Sequence, residues 1–322
     1  MSRTSVFRLL AGCLCAGWCL LFLRCETTEK TMVRALYAAD AGQGVEVVLL
    51  YQAPQAQADA AEVTAELEMA DAEGENLEKA LAQAEKKLPQ TADYRLCDYF
   101  IVPEDAPAAL LEQYEKLVLT RRCGRAAAKV CCAEWDAEQL LELQETENTA
   151  PDQLLEQLKQ RSKQMPRLYQ NREAMLLPLL RGETSGEITW AEEAALFTPS
   201  VRQVLDAEQA RMAWLVMETP GRKTFWLAGQ QVKIRRCSVS VSTEDGGAAL
   251  RLDCQLEAGE PAPTPEQKAA LEALAEQTVR AFWQQGVDLL ALQQRLQLQG
   301  KEPLKTENAC PELRTDVRFL SL

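Results

Sequence analysis

Cys97-Asp98-Tyr99-Phe100-Ile101-Val102 is the stretch whose reading decides the fold. It is a short apolar run of the buried-strand type, too short for a helix. After it, Leu110, Leu111, Tyr114, Leu117 and Val118 fall on one face of Pro107 to Leu119, which predicts a helix. Ala126 to Cys132 returns to strand. Upstream, Leu77, Ala80, Leu81, Ala84 and Leu88 recur at helical spacing over Asn76 to Leu88, with Pro89 just beyond. Gly74 breaks the pattern before that helix. Val63 to Met69 alternates with period two. Gln52 to Ala61 is an Ala/Gln/Pro loop, and Met32 to Tyr37 and Val45 to Tyr51 read as strands. The resulting β-β-β-α-β-α-β order predicts a first α+β domain over residues 26–138.

Outward toward the C-terminus, residues 139–186 read as a helical connector or part of a middle domain. Glu138 to Gln170 is helical and charged, with a break around Asn148 to Pro151 and Asp152 placed to cap the helix after it. Residues 187–322 form a C-terminal α+β region. Glu187 to Phe197 reads as extended, after Gly182 to Gly186. Asp206 precedes a helix over Ala207 to Met217, with Gln209 in capping-box position. Thr224 to Leu227 and Gln231 to Ser242 read as strands. Thr264, Pro265 and Gln267 announce a helix whose buried face is Leu271, Leu274, Ala275, Thr278, Val279 and Phe282. Gly286 interrupts it, Val287 to Leu298 continues as helix, and Leu313 to Leu320 ends as a strand. The whole is expected to be α+β, with mixed sheets, packed helices and about three domains.

The clearest local structure is a hairpin. Cys237, Val239 and Val241 share one strand face; Leu250, Leu252 and Cys254 share a face of the next; Asp245-Gly246 lies between them. A two-residue turn there sets Cys237 opposite Cys254, Val239 opposite Leu252 and Val241 opposite Leu250. Cysteines so opposed are a candidate disulfide; the other reading is two neighbouring reduced core thiols. A turn on Gly246-Gly247 would shift the register by two and part them.

Composition narrows function. The chain has 322 residues, a formal charge of -13 and no histidine. The acidic balance argues against a nucleic-acid partner, and Arg121-Arg122 with Arg125, or Lys233 to Arg236, are too small to reverse it. Without imidazole there is no Ser-His-Asp or Cys-His catalysis and no histidine zinc site. The seven cysteines after residue 25 have no C-x-x-C spacing, which argues against a metal or thioredoxin-type site. Glu192-Glu193 are adjacent on a strand and point to opposite faces, so they do not form an acid pair. Vicinal Cys131-Cys132 reads as a strand end with one thiol buried and one exposed. Trp190, Trp214, Trp226 and Trp283 read as core or interface anchors. No catalytic, cofactor-binding or metal residue is expected.

The first 25 residues read as a signal or membrane-anchor segment. Arg3 and Arg8 precede a charge-free apolar run from Leu9 to Leu23, closed by Arg24-Cys25-Glu26. The basic residues favour an inside N-terminus, so the body is expected outside the cytoplasm.

The order of these pieces resembles the Ger(x)C family, the C subunits of bacterial spore-germination nutrient receptors. The resemblance is carried by the leader and Cys25, by Glu29, and by the strand from Met32 to Asp40. Further matches are Gly74 to Ala84, Leu96 to Val102 with Glu104-Asp105-Ala106, and Leu177-Pro178-Leu179. Ala194 to Phe197, Leu205 to Arg211 and the helix from Thr278 to Asp288 complete it. It implies a lipoprotein whose lipid-bearing residue is Cys25, held at the outer face of the spore inner membrane. It also implies a multi-spanning subunit and a second integral subunit as partners, and no enzymatic activity. Arg24 stands where a lipobox carries Gly, Ala or Ser, so a lipid anchor and a retained apolar helix both remain open. The competing function is an exported small-ligand-binding lipoprotein unrelated to germination; an exported carboxylate hydrolase ranks below both.

Overall fold

The computed structural model describes residues 30–52, 67–146, 150–168, 175–182, 187–198, 202–244, 247–300 and 310–320. Cys25 and the rest of the leader lie outside them, as do Asp245 and Gly246, where the hairpin turn is expected. The described strands form two mixed sheets, and seven helices pack on them.

The larger sheet is built around four neighbouring parallel strands. These are β1 (Lys30–Asp40), β5 (Tyr99–Pro103), β6 (Lys129–Ala133) and β7 (Met175–Gly182). On one side β2 (Val45–Gln52) and β3 (Leu67–Gly74) add antiparallel strands. On the other, β8 (Ile188–Phe197) and β9 (Arg202–Leu205) do the same. The short β4 (Thr91–Asp93) pairs with the start of β1. Helices cover both faces. On one lie α1 (Leu77–Lys87) and α2 (Ala108–Arg121), on the other α3 (Ala137–Thr146) and α4 (Ala150–Arg161). Each central strand therefore splits its side chains between two cores: on β1, Leu36 and Ala38 go to the first and Ala35, Tyr37 and Ala39 to the second. That is why these strands read as continuous apolar runs.

The same two-sided cover corrects the expectation for Cys131-Cys132. Both thiols are fully buried, Cys132 under α1 and α2 and Cys131 under α3 and α4. The third strand also differs: residues 63–66 are outside the described set, and β3 runs on to Gly74, paired with β2 throughout. Pairing with β2, whose Val45, Val47, Val48, Leu49, Leu50 and Tyr51 are buried, holds residues whose own pattern has faded. β7 carries Pro178 inside the sheet, next to a register shift between Pro178 and Leu180, where a missing N–H is tolerated. Gly74 allows a close approach, because a Cβ there would sit 2.3 Å from the backbone N of Ala80 in α1.

The smaller sheet runs β10 (Lys223–Leu227), β11 (Gln230–Glu244), β12 (Gly247–Leu256) and β13 (Glu312–Leu320). One face is buried by α6 (Pro265–Gln284), which carries the expected capping box: Thr264 Oγ1 accepts from Gln267 N and Gln267 Oε1 from Thr264 N. β13 lies parallel to β12 at an edge. Its Thr315 and Val317 N–H groups donate to Glu276 and Glu272 of α6 at 3.1 and 3.0 Å, which occupies donors an edge strand otherwise offers to other chains. The expected helix over Val287 to Leu298 is shortened to α7 (Leu292–Leu298). Gly286 and Ala291 adopt positive φ, and the Asp288 carboxylate takes the Gln293 N–H, a local bond that competes with helix.

Candidate functional site

Between the two sheets lies α5 (Ala207–Val216). Asp206 caps it, accepting from Glu208 N and Gln209 N at 3.0 and 2.8 Å. Ala210 and Ala213 face β8 and β9, while Met212, Leu215 and Val216 face the smaller sheet, so one helix serves both cores. It ends in a Schellman-type cap: Thr219 N–H reaches Trp214 O and Glu218 N–H reaches Leu215 O. The left-handed position is Glu218, φ 55°, where glycine is usual. Its carboxylate compensates by accepting the Val239 N–H of β11 at 2.6 Å.

The segment after this cap, Thr219 to Arg222, lines three clefts that meet around it. The first holds about 320 Å³ between the end of α4, β8, α5 and β10. Arg161 lies there, its guanidinium 5.5 Å from the Trp190 ring centre and its Nη1 donating to Ala191 O at 3.4 Å. Burial works against its charge, and Glu192 supports it. Arg211 donates to Glu192 at 2.8 Å. The second cleft holds about 590 Å³ and is walled by Lys223, Arg235, Arg236 and Cys237. Lys223 is only 8% exposed, and its ammonium donates to the carbonyls of Thr219 and Gly221. Burial pulls its pKa down to about 8. The third, about 460 Å³, runs past Met165, Met175, Leu176 and Met217.

The sequence-derived candidates are spread over the fold rather than gathered in one place. Cys237 and Cys254 pair directly, as do Val239 with Leu252 and Val241 with Leu250, the register that an Asp245-Gly246 turn implies. The two sulfurs are 3.6 Å apart and unbonded. Glu192 and Glu193 diverge, one to Arg211 and the other to Arg181. Cys97 and Cys123 are buried, and desolvation pushes their thiols up to about 12 and about 11, which makes them unreactive. Trp283 is core, whereas Trp226 on the edge strand β10 is 64% exposed. Among the described residues no group of three His, Cys, Asp or Glu is placed to hold a metal ion.

Sequence reasoning missed the clustering of cations around Thr219 to Lys223. One signal was present: buried positions on β11 fall at Val232 and Ile234, then at Cys237, so the alternation slips by one. That slip is a β-bulge, between Ile234 and Arg236, and both Arg235 and Arg236 are exposed at it.

No protein-family model matches the chain, and no curated protein matches it by sequence. Among solved structures, the crystal structure of the GerBC protein superposes with a TM-score of 0.50 at 12% identity. The superposition covers 91% of this chain and 99% of that one. At that identity the likeness is one of fold: the chain has a GerBC-like, mixed α+β fold.

Proposed function

We propose that this protein is a C subunit of a spore-germination nutrient receptor, working by protein–protein association rather than by catalysis. The carrying observation is the GerBC-like fold over nearly the whole length of both chains. The chemistry is consistent with it: no histidine, Glu192 and Glu193 engaged with arginines rather than each other, and the Cys97 and Cys123 thiols silenced by burial. Its partners are a multi-spanning subunit and a second integral subunit. It is held at the outer face of the spore inner membrane through the N-terminal segment, by a lipid on Cys25 or by a retained apolar helix. Among the described residues no helix is long and apolar enough to cross a membrane, so attachment falls to the leader and the partners.

The test is recovery of the full-length tagged chain from native spore membranes in mild detergent. The proposal expects the two integral subunits in stoichiometric amount. Recovery of this chain alone contradicts it and favours the second reading, an exported small-ligand-binding lipoprotein, which the cationic clefts support. That reading expects a small anion to raise the melting temperature of the isolated chain.

A further inference from the structure

The Cys237–Cys254 pair is asymmetric. The β11 bulge brings Cys237 inward in phase with Val239 and Val241, while Arg235 and Arg236 stay exposed beside it. Cys237 is therefore both opposite Cys254 and on the wall of the 590 Å³ cleft, together with Lys223 and the two arginines. Cys254 is fully buried behind it. The sulfurs are in van der Waals contact at 3.6 Å, and directly opposed strand positions allow closure to a bond of about 2.0 Å with side-chain rotation. Its hydrogen bond with Cys237, together with burial, raises the Cys254 thiol above the ordinary cysteine range. Cys237, 9% exposed, thus lines a cleft that carries Lys223, Arg235 and Arg236 against the Glu218 carboxylate, whose charge is partly engaged by Val239 N–H, while Cys254 is sealed behind it, the paired arrangement that thiol–disulfide exchange uses.

We propose that Cys237 and Cys254 form a redox site that exchanges with a small anionic disulfide entering the cationic cleft. The Cys237 thiolate attacks one sulfur of the disulfide RS–SR. A Cys237–S–S–R bond forms, and RS⁻ leaves with the proton that Cys237 gave up. Cys254 then loses its proton and attacks the Cys237 sulfur, and the second RS⁻ departs with that proton. Two protein thiols are oxidised to a cross-strand disulfide and one RS–SR is reduced to two RSH. This site stands independently of the receptor reading.

The experiment uses the full-length, reduced, folded chain with two probes, oxidised glutathione (net anionic) and cystamine (cationic), each rate normalised to that with free cysteine. The proposal expects a 237–254 linked peptide in non-reducing digests and loss of two thiols per chain. It expects a preference for the anionic probe of roughly tenfold at low salt, collapsing at about 1 M salt. In Cys254→Ser, Cys237 should stop at the mixed disulfide; in Cys237→Ser, Cys254 should stay unmodified. Absence of the 237–254 link in the folded chain, or its formation only in denaturant, overturns the proposal. Equal normalised rates for the two probes also overturn it, and that comparison needs no variant to fold.

Discussion

Replacing Lys223 with methionine isolates the energetic effect of one buried charge. Lys223 is 8% exposed; the Thr219 and Gly221 carbonyls accept from its ammonium, and Cys237 also favours its charged form. Burial lowers its pKa from 10.5 to about 8. At 1.36 kcal/mol per pH unit, the difference of about 2.5 units corresponds to about 3 kcal/mol against folding while the lysine is charged. Because the folded-state pKa lies below the unfolded one, the unfolded chain binds more protons between pH 8 and 10.5. Stability from this group therefore rises with pH through that window; the cost is fully present below about pH 8 and gone above 10.5. Lys223→Met removes the charge but leaves the Thr219 and Gly221 carbonyls without its bonds, a loss of about 1–3 kcal/mol each. The two effects oppose each other at pH 7, so the sign there decides little. The pH dependence decides. Urea unfolding of both proteins, from pH 7 to 10.5 under reducing conditions, should show wild type gaining about 3 kcal/mol on the variant. Groups not coupled to Lys223 cancel in the difference, and repeating the pair on a Cys237→Ser background removes the coupled neighbour. A wild-type-minus-variant difference that stays flat with pH refutes the claim that Lys223 is held in the fold as a desolvated charge.

Other substitutions probe the elements that place the site. Gly74→Ala should lose about 1–3 kcal/mol in urea unfolding, because the new Cβ meets the α1 backbone rather than a yielding side chain; a stabilised variant would contradict the close approach. Glu218→Ala keeps the left-handed backbone and loses the bond to Val239 N, and should cost about 1–3 kcal/mol. Glu218→Gly loses the same bond but relieves about 1–2 kcal/mol of backbone strain, so it should unfold at higher urea than Glu218→Ala. Thr264→Ala should cost about 1 kcal/mol by removing one half of the α6 capping box, and no change would mean the cap is idle.

Local signals in the sequence carried far. Asp245-Gly246 between two alternating runs pointed to the Cys237–Cys254 register, but a turn on Gly246-Gly247 keeps the same apolar faces together with a shift of two, so the pairing itself had to come from the folded hairpin. Thr264-Pro265 and Asp206 marked helix starts that form as expected. Non-local consequences were not legible. β7 joins β6 although residues 134–174 intervene, and only the folded sheet reveals that neighbour. Cys131 and Cys132 are both buried because helices from two different chain segments cover opposite faces, which no single-strand pattern encodes. The cationic cleft assembles Lys223 with Arg235 and Arg236 across two strands. Its one trace in the sequence was the slipped alternation at the bulge, where two arginines hide the shift inside what looks like an ordinary polar step.

The receptor-subunit reading is tested most directly by nutrient-triggered germination. Spores lacking this chain, and spores complemented with the full-length gene, are compared in nutrients and with a trigger that bypasses nutrient receptors. The account predicts loss of the response to at least one nutrient, restoration by the gene, and an unchanged response to the bypass trigger. Spores that lack the chain yet answer every nutrient as wild type does would contradict it.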